Sequence, residues 1–292
     1  VDVEVENAAP VVAVSGADEL DYTIDGSAVQ GPVTGVDPAL GGGQIEQVPL
    51  DASTVGSFFR NVTVESDSPA VQDGSFSQNV PYTVLDHAEA SFDDSADQNM
   101  LTIDFGTVAQ GSDADDVAFA LHNLVTTASY TAKLDLTGIS GTGDTDALTT
   151  NAALFEDLAA GDFLSFLASL DTSGLGTFSA MWTFENADED LPGGLAGDDL
   201  VLMLSADVAL AGDANRDGTV NIDDINVMLS HYLDSGVGWT DGDVTGDGSV
   251  SINDINAALG NWLTTAATGT VPEPATLGLL AAGAVGLIRR RK

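Results

Sequence analysis

Apolar and polar residues alternate with a period of two through most of the first 211 positions, and clusters of Gly, Asp, Ser and Pro separate the runs. In NMLTIDFGTV the side chains Leu101, Ile103 and Phe105 share a face, in DDVAFALHNL Val117, Phe119 and Leu121, and in YTAKLDLTG Tyr130, Ala132, Leu134 and Leu136. GTFSAMWTF aligns Phe178, Ala180, Trp182 and Phe184, and DDLVLMLSADV aligns Leu200, Leu202 and Leu204. Such runs between turn residues predict short, half-buried strands. Their spacing predicts an antiparallel sandwich over residues 88–211, with Phe119, Trp182 and Phe184 in its core. SFFRNVTVES and VPYTVLDHAEASF read as the last strands of an earlier, partial β module in residues 1–87. GPVTGVDPALGGG, residues 31–43, reads as a long Gly/Pro loop.

At residue 212 the pattern changes. GDANRDGTVNIDDINVMLSHYL (212–233) sets a run of oxygen-bearing side chains around one glycine, then turns to helical spacing. Thirty residues later the window recurs as GDVTGDGSVSINDINAALGNWL (242–263), with 11 of 22 positions identical. Calcium takes six to eight oxygens, and a 12-residue loop supplies them from alternating positions with glycine at the sixth. In the loop 213–224, Asp213, Asn215 and Asp217 give the leading oxygens and Gly218 the turn. Thr219 offers its carbonyl, Asn221 a side chain or water contact, and Asp224 the closing carboxylate. In the loop 243–254 the equivalent residues are Asp243, Thr245, Asp247, Gly248, Ser249, Ser251 and Asp254. Two calcium sites are therefore expected, the second weaker because the Thr245 hydroxyl replaces an amide oxygen. Extracellular calcium modules work on the order of 10⁻⁴ to 10⁻³ M. Ile225, Leu229, Tyr232 and Leu233, mirrored by Ile255, Leu259, Trp262 and Leu263, predict one amphipathic helix after each loop. The segments before the loops, ADVALA and VGWTD, lack helical spacing.

Charge narrows the partners. The chain of 292 residues has 46 Asp plus Glu against 7 Lys plus Arg, a formal net charge of -39, and no Cys. Four of the seven bases are the last four residues, leaving Arg60, Lys133 and Arg216 for the body. A body this acidic lacks the basic clusters that bind phosphate, which excludes nucleic acid as a partner. It gathers cations and tolerates salt. Without Cys there are no disulfides, thiol nucleophiles or thiolate metal sites. His87, His122 and His231 make no zinc spacing, and no nucleophile elbow, phosphate loop or dinucleotide fingerprint is present. DEDLP, residues 188–192, reads as a solvated acidic loop. The body is read as non-catalytic, and a glycan ligand is possible but unsupported.

The chain opens at Val1 without an initiating Met or the basic-then-apolar pattern of a secretion leader, and a fragment of a longer chain is expected. At the other end, after the linker 264–270, Pro272, Glu273 and Pro274 precede an apolar run from Ala275 to Ile288, closed by Arg289, Arg290, Arg291 and Lys292. As a helix these 14 residues span about 21 Å, short of the roughly 30 Å hydrocarbon core. The basic end marks its cytoplasmic side.

Three resemblances refine this picture. IDFGTVAQGSDADDVAFALHNL (103–124) is similar to the opening strands of abnormal-spindle-like, Hydin-type immunoglobulin-like modules, an FG strand, a GS turn and a strand ending near Asn. It implies an Ig-like sandwich and no activity. Loop plus single helix, duplicated and closed by Asp, resembles the type I dockerin family over residues 212–263. That resemblance implies a calcium-folded module that docks onto a cohesin-like partner through Ile222 and Asp223, or Ile252 and Asn253 in the second copy. Cellulosomal dockerins usually carry small hydroxyl residues there, so the partner expected here differs from theirs. Residues 271–292 resemble the PEP-CTERM sorting signal, which implies an exosortase partner, export, and a membrane segment that is transient or an anchor. The fold class expected is mostly β, with Ig-like sandwich(es), a small α dockerin module of two calcium loop–helix repeats, and a C-terminal hydrophobic helix. The function expected is an exported calcium-binding surface or matrix protein. The alternative is the C-terminal part of a secreted polysaccharide-degrading enzyme whose catalytic domain lies upstream.

Overall fold

The computed structural model describes residues 2–5, 20–25, 33–37, 43–66 and 75–266. The chain is mostly β, as its alternation implies. Strands β1 (Asp2–Val5), β2 (Leu20–Asp25), β3 (Val33–Asp37), β4 (Gln44–Gln47), β5 (Gly56–Ser66) and β6 (Ser75–Val84) come first. They form a four-stranded sheet, β3-β2-β5-β6, and a β1-β4 pair, around buried Val5, Tyr22, Ile24, Val48 and Val62. The expected Gly/Pro loop thus contains a strand. Gly35 makes it possible: a Cβ there would collide with the Tyr22 side chain lying across from it on β2. The Tyr22 hydroxyl donates to Glu46 Oε1 at 2.9 Å.

The sandwich follows in β7 (Glu89–Ser91), β8 (Met100–Ala109), β9 (Val117–Leu124), β10 (Leu134–Gly143), β11 (Leu148–Thr150), β12 (Phe155–Leu158), β13 (Phe163–Leu170), β14 (Gly176–Asp188) and β15 (Leu200–Ala209). One sheet runs β12-β10-β14-β15-β8 and the other β11-β13-β9-β7. Every pairing is antiparallel except β15 with β8. Ile103, Phe119, Leu121, Ala180, Phe184, Leu200, Leu202 and Leu204 belong to the core between the sheets, and Leu101, Phe105 and Phe178, partly buried, pack against it. Phe119 and Phe184, from opposite sheets, stand 6.1 Å apart, and each meets Phe92 at 6.2 Å. Trp182 packs against this core and donates its Nε1 proton to the Leu148 carbonyl at 3.1 Å.

Two departures from the strand pattern are informative. Tyr130 lies in a turn ahead of β10, its N–H bonded to the Thr127 carbonyl while its own carbonyl accepts from Asp86 N. DEDLP is solvated only in part: Asp190, Leu191 and Pro192 are exposed, but its first acid is not. Asp188 ends β14 with a side chain only 7% exposed, accepting from Ala88 N (2.7 Å), Leu195 N (3.0 Å) and His87 Nδ1 (2.6 Å). A second bracket is Asn123, fully buried in β9 at the Asn of the Ig-like resemblance. It donates to the Ala132 and Leu158 carbonyls (2.9 and 3.0 Å) and accepts from Glu89 N (3.2 Å). It ties β7, β9, β12 and the approach to β10 into one unit.

Burial raises the Asp188 pKa, but the bonds from His87, Leu195 and Ala88 outweigh it and hold the carboxyl below its ordinary value. The same bond to Asp188 raises the His87 pKa. The Asp188 contribution is present above the unfolded carboxylate pKa and is lost as pH falls through the depressed value. The His87 contribution is present below about pH 6.5 and is lost as pH rises through the raised value. Because the His87 side chain is 59% exposed, we expect the pair to contribute no more than about 1 kcal/mol. Denaturant midpoints of wild type and His87→Asn, measured at pH 5 and pH 9, should differ at pH 5 and converge at pH 9. Asn123→Ala orphans two buried carbonyls and one N–H and should cost more than about 2 kcal/mol in the same assay.

Candidate metal centre

Strand β15 runs directly into the repeated segment. Helix α1 (Ile222–Ser230) and helix α2 (Ile252–Gly260) follow the two loops, each opened by a reciprocal cap. Asn221 accepts from Asp223 N while Asp224 Oδ2 accepts from Asn221 N at 2.8 Å. In the second copy Ser251 accepts from Asn253 N and Asp254 Oδ2 accepts from Ser251 N at 2.8 Å. A carboxylate at the third helical position satisfies the exposed N-terminal donors and the positive end of the helix dipole together. VGWTD contains one 3₁₀ turn, Trp239–Asp241.

The loops superpose in their bonding. Asp213 Oδ1 accepts from Asp217 N (3.1 Å) and its Oδ2 from Gly218 N (2.8 Å). Asp243 Oδ1 accepts from Gly246 N (2.9 Å) and Asp247 N (3.2 Å), and its Oδ2 from Gly248 N (2.8 Å). Asp224 Oδ1 accepts from Asn215 N, and Asp254 Oδ1 from Thr245 N and the Thr245 hydroxyl (2.9 Å). Asp217 and Asp247 accept from Thr219 N and Ser249 N. The fourth and sixth positions are left-handed in both copies, Arg216 (φ 60) and Gly218 (φ 84), Gly246 (φ 75) and Gly248 (φ 82). This conformation turns successive N–H groups onto the leading carboxylate of each loop, Asp213 or Asp243.

Each loop closes on the other repeat. Val220 N donates to the Thr264 carbonyl (2.9 Å) and Leu263 N to the Val220 carbonyl (2.8 Å). Symmetrically, Val250 N donates to Asp234 (3.0 Å) and Leu233 N to Val250 (2.8 Å). Gly212 and Gly242 allow the close helix contact: a Cβ at Gly212 would approach Ala258 Cα to 2.5 Å, and one at Gly242 would approach Met228 Cα to 2.7 Å. Ala214, Val220, Met228, Trp239, Val244, Val250 and Ala258 form the module's core.

Two observations bear on a cation. The side chains of Asp213, Asp224, Asp243 and Asp254 belong to residues only 3%, 0%, 4% and 0% exposed, and none takes part in an ion pair among the described residues. Burying a carboxylate without an opposite charge costs several kcal/mol. Burial, together with the charges of Asp224 and Asp217, raises the Asp213 pKa despite the bonds from Gly218 and Asp217 N–H. The donors are all hard oxygens, as calcium requires. On the other side, no three acidic or imidazole side chains among the described residues close into a metal cluster. The carboxylates are turned onto main-chain N–H groups. The donor chemistry and the uncompensated charge fit a hard divalent cation, while the arrangement is that of two caged acid brackets.

Ile222, Asp223, Ile252 and Asn253, the residues expected to meet a partner, are all exposed, at the first turn of each helix. The expected helix stripe is revised. Asp224, Ile225 and Met228, with Asp254, Ile255 and Ala258, face the core, whereas Leu229, Tyr232, Leu233, Leu259, Trp262 and Leu263 are exposed. Helices of nine residues end before the stripe completes, and Leu233 and Leu263 then turn left-handed (φ 72 and 61). Sequence reasoning missed Trp239, whose buried Nε1 donates to the Asp213 carbonyl at 2.7 Å, and the Arg216 Nη2–Asp207 Oδ1 ion pair of 2.9 Å that ties the first loop to β15. Neither has a sequence signal, since each partner is set by the fold. His122 lies in β9 with its ring 5.1 Å from Phe163, and His231 caps α1 beside Asp234.

The sorting residues Pro272, Glu273, Pro274, Arg289, Arg290 and Arg291 lie outside the described residues. No described helix is long and apolar enough to cross a membrane. Among solved structures the chain is similar to the Vibrio cholerae VesB protease (12% identity, 52% of this chain and 49% of that one, TM-score 0.27). It is similar also to zebrafish RET cadherin-like domains 1 to 4 (12%, 65% and 41%, TM-score 0.27) and to a mutant of the enterotoxigenic E. coli CFA/I adhesin CfaE (8%, 70% and 82%, TM-score 0.28). The chain spans about half or less of the first two. No curated protein matches the chain, and no family model matches the sandwich or the loop–helix repeat. The family model described as the PEP-CTERM protein-sorting motif matches residues 270–292. Residues 270–292 are therefore a PEP-CTERM sorting signal, and the chain that carries it is an exported protein sorted by exosortase to the cell envelope.

Proposed function

We propose that this protein is a non-catalytic, calcium-stabilised surface or matrix protein in which the β units carry a dockerin-like module for assembly with a cohesin-like partner. The observation that carries the reading is the pair of matched loops, each burying two carboxylates that form no ion pair among the described residues; the one base in the loops, Arg216, is paired with Asp207. Calcium would be held in the first loop by Asp213, Asn215, Asp217, Thr219, Asn221 and Asp224, and in the second by Asp243, Thr245, Asp247, Ser249, Ser251 and Asp254. Bound there, it neutralises the buried charge. The second site is the weaker, because the Thr245 hydroxyl is already committed to Asp254. The exposed Ile222–Asp223 and Ile252–Asn253 pairs present two near-identical docking edges, so the partner can be engaged in either of two orientations.

Calcium at one hundred times its Kd should stabilise the module by about 2.7 kcal/mol per site. Circular dichroism of the full chain with chelator should show loss of the helical signal and an unchanged β signal. A titration calorimetry trace without calcium heat would overturn the reading. Asp254→Ala should cost about 1 kcal/mol in chelator, through the lost cap, and should also abolish most of the calcium-dependent gain. For docking, Ile222→Ala alone should leave calcium-dependent capture of an envelope-fraction partner nearly intact, whereas Ile222→Ala with Ile252→Ala should reduce it at least tenfold.

A further inference from the structure

Strand parity places Ser57, Phe59, Asn61 and Thr63 of β5 on one face, opposite Thr83, Pro81, Asn79 and Ser77 of the edge strand β6. This is the face turned from the core, since Val62 on the other face is buried and Phe58 there packs on Tyr82, ring centroids 5.6 Å apart. None of these eight outward residues is charged. Phe59 is 76% exposed, the most exposed aromatic among the described residues. Its neighbours bond to one another: Thr63 Oγ1 and Ser77 Oγ are 2.9 Å apart, and Ser77 Oγ donates to Asn61 Oδ1 at 2.6 Å. Ser57 Oγ lies 3.4 Å from Thr83 Oγ1 and accepts from the Tyr130 hydroxyl at 3.3 Å, so a second aromatic reaches this face from the sandwich. Asn61 Nδ2 and the Asn79 side-chain amide have no protein partner among the described residues. Just past β6 the chain is fixed: Asp86 N donates to the Tyr130 carbonyl (2.6 Å) and Ala132 N to the Asp86 carbonyl (2.8 Å). Successive rungs of the face lie about 6.8 Å apart, so it spans about 20 Å.

We propose that this face binds a neutral polysaccharide, with Phe59 stacked on a sugar ring and Asn61 and Asn79 bonded to its hydroxyls. A pyranose carries C–H groups on its faces and hydroxyls around its rim, so it needs an apolar plate beside groups that both donate and accept. Phe59, with Pro81 directly opposite, supplies the plate. The two amides supply donors and acceptors together. Charge selects the class of polymer. A chain of net charge -39 repels uronate or sulfate polymers, whereas an uncharged strip offers a cationic polymer less than the acidic surface around it. A protein strand added along the β6 edge is disfavoured by Pro81, which has no N–H to pair. The site belongs to the first β unit and needs nothing from the calcium loops.

Full-length protein in excess calcium would be run by affinity electrophoresis through gels containing laminarin, mannan, dextran or hydroxyethyl cellulose, with alginate as the anionic control. The expected result is retardation by at least one neutral polymer and none by alginate. Phe59→Ala should weaken that binding at least tenfold with an unchanged melting temperature, and Phe59→Trp should retain it. The proposal is overturned if no neutral polymer retards wild type, if alginate retards it as strongly, or if Phe59→Ala runs as wild type does. It is overturned also if wild type sediments as a dimer that Phe59→Ala dissociates, since the face is then closed between two copies. Should Phe59→Ala melt early, Asn61→Ala and Asn79→Ala decide: undiminished retardation in both overturns it.

Discussion

A chain with 46 acids and three bases ahead of its last four residues has almost no ammonium or guanidinium to place beside a buried carboxylate. Its buried acids are stabilised by main-chain N–H groups instead. Asp188 takes those of Ala88 and Leu195, Asp213 those of Asp217 and Gly218, and Asp243 those of Gly246, Asp247 and Gly248. Asp224 and Asp254 each take two more. Lys133 is committed to Asp157 and Glu189, and Arg216 to Asp207. Arg60 is buried, and its Nε and Nη2 have no hydrogen-bond partner among the described residues. A hydrogen bond to N–H favours the charged carboxylate but supplies only partial positive charge. The loops, where four such acids lie within one small module, are therefore where a cation has most to offer.

The same constraint shapes the junction between sandwich and module. Ala209 and Leu210 at the end of β15 enter the module's core, and Ala109 and Leu175 pack against it. Arg216 reaches from the fourth position of the first loop back to Asp207, which also accepts from the Thr177 hydroxyl. A module with only two nine-residue helices buries little apolar surface by itself. It is completed from three directions: the sandwich end, the other repeat through the Val220 and Val250 exchanges, and Trp239 beneath the first loop.

The two faces of the large sheet illustrate a division of labour. Inward, β8, β14 and β15 contribute Ile103, Ala180, Phe184, Leu200, Leu202 and Leu204, which fill the space against Phe92 and Phe119. Outward, the same strands carry hydroxyl side chains together with the exposed Met100, Met181 and Met203. Period-two geometry forces one strand to serve both purposes, so a residue's chemistry on the outer face is free of packing demands.

The alternation by itself determined the strands around Phe119, Phe184 and Leu202, because a side chain's face in a strand depends only on its parity. The thirty-residue repeat determined where the paired loops and helices stand, and the basic-ended apolar tail determined the sorting signal. Only the tertiary structure decided which partners meet across long separations: Asp188 with His87 and Ala88, Asn123 with Leu158, Trp239 with Asp213, Met181 with Met203. It also decided that Gly35 belongs to a strand, that Tyr130 turns before β10, and that Leu229 and Leu233 face outward. Local periodicity records how a residue sits on its own element, whereas register and the end of a short helix are set by what the rest of the chain packs against it.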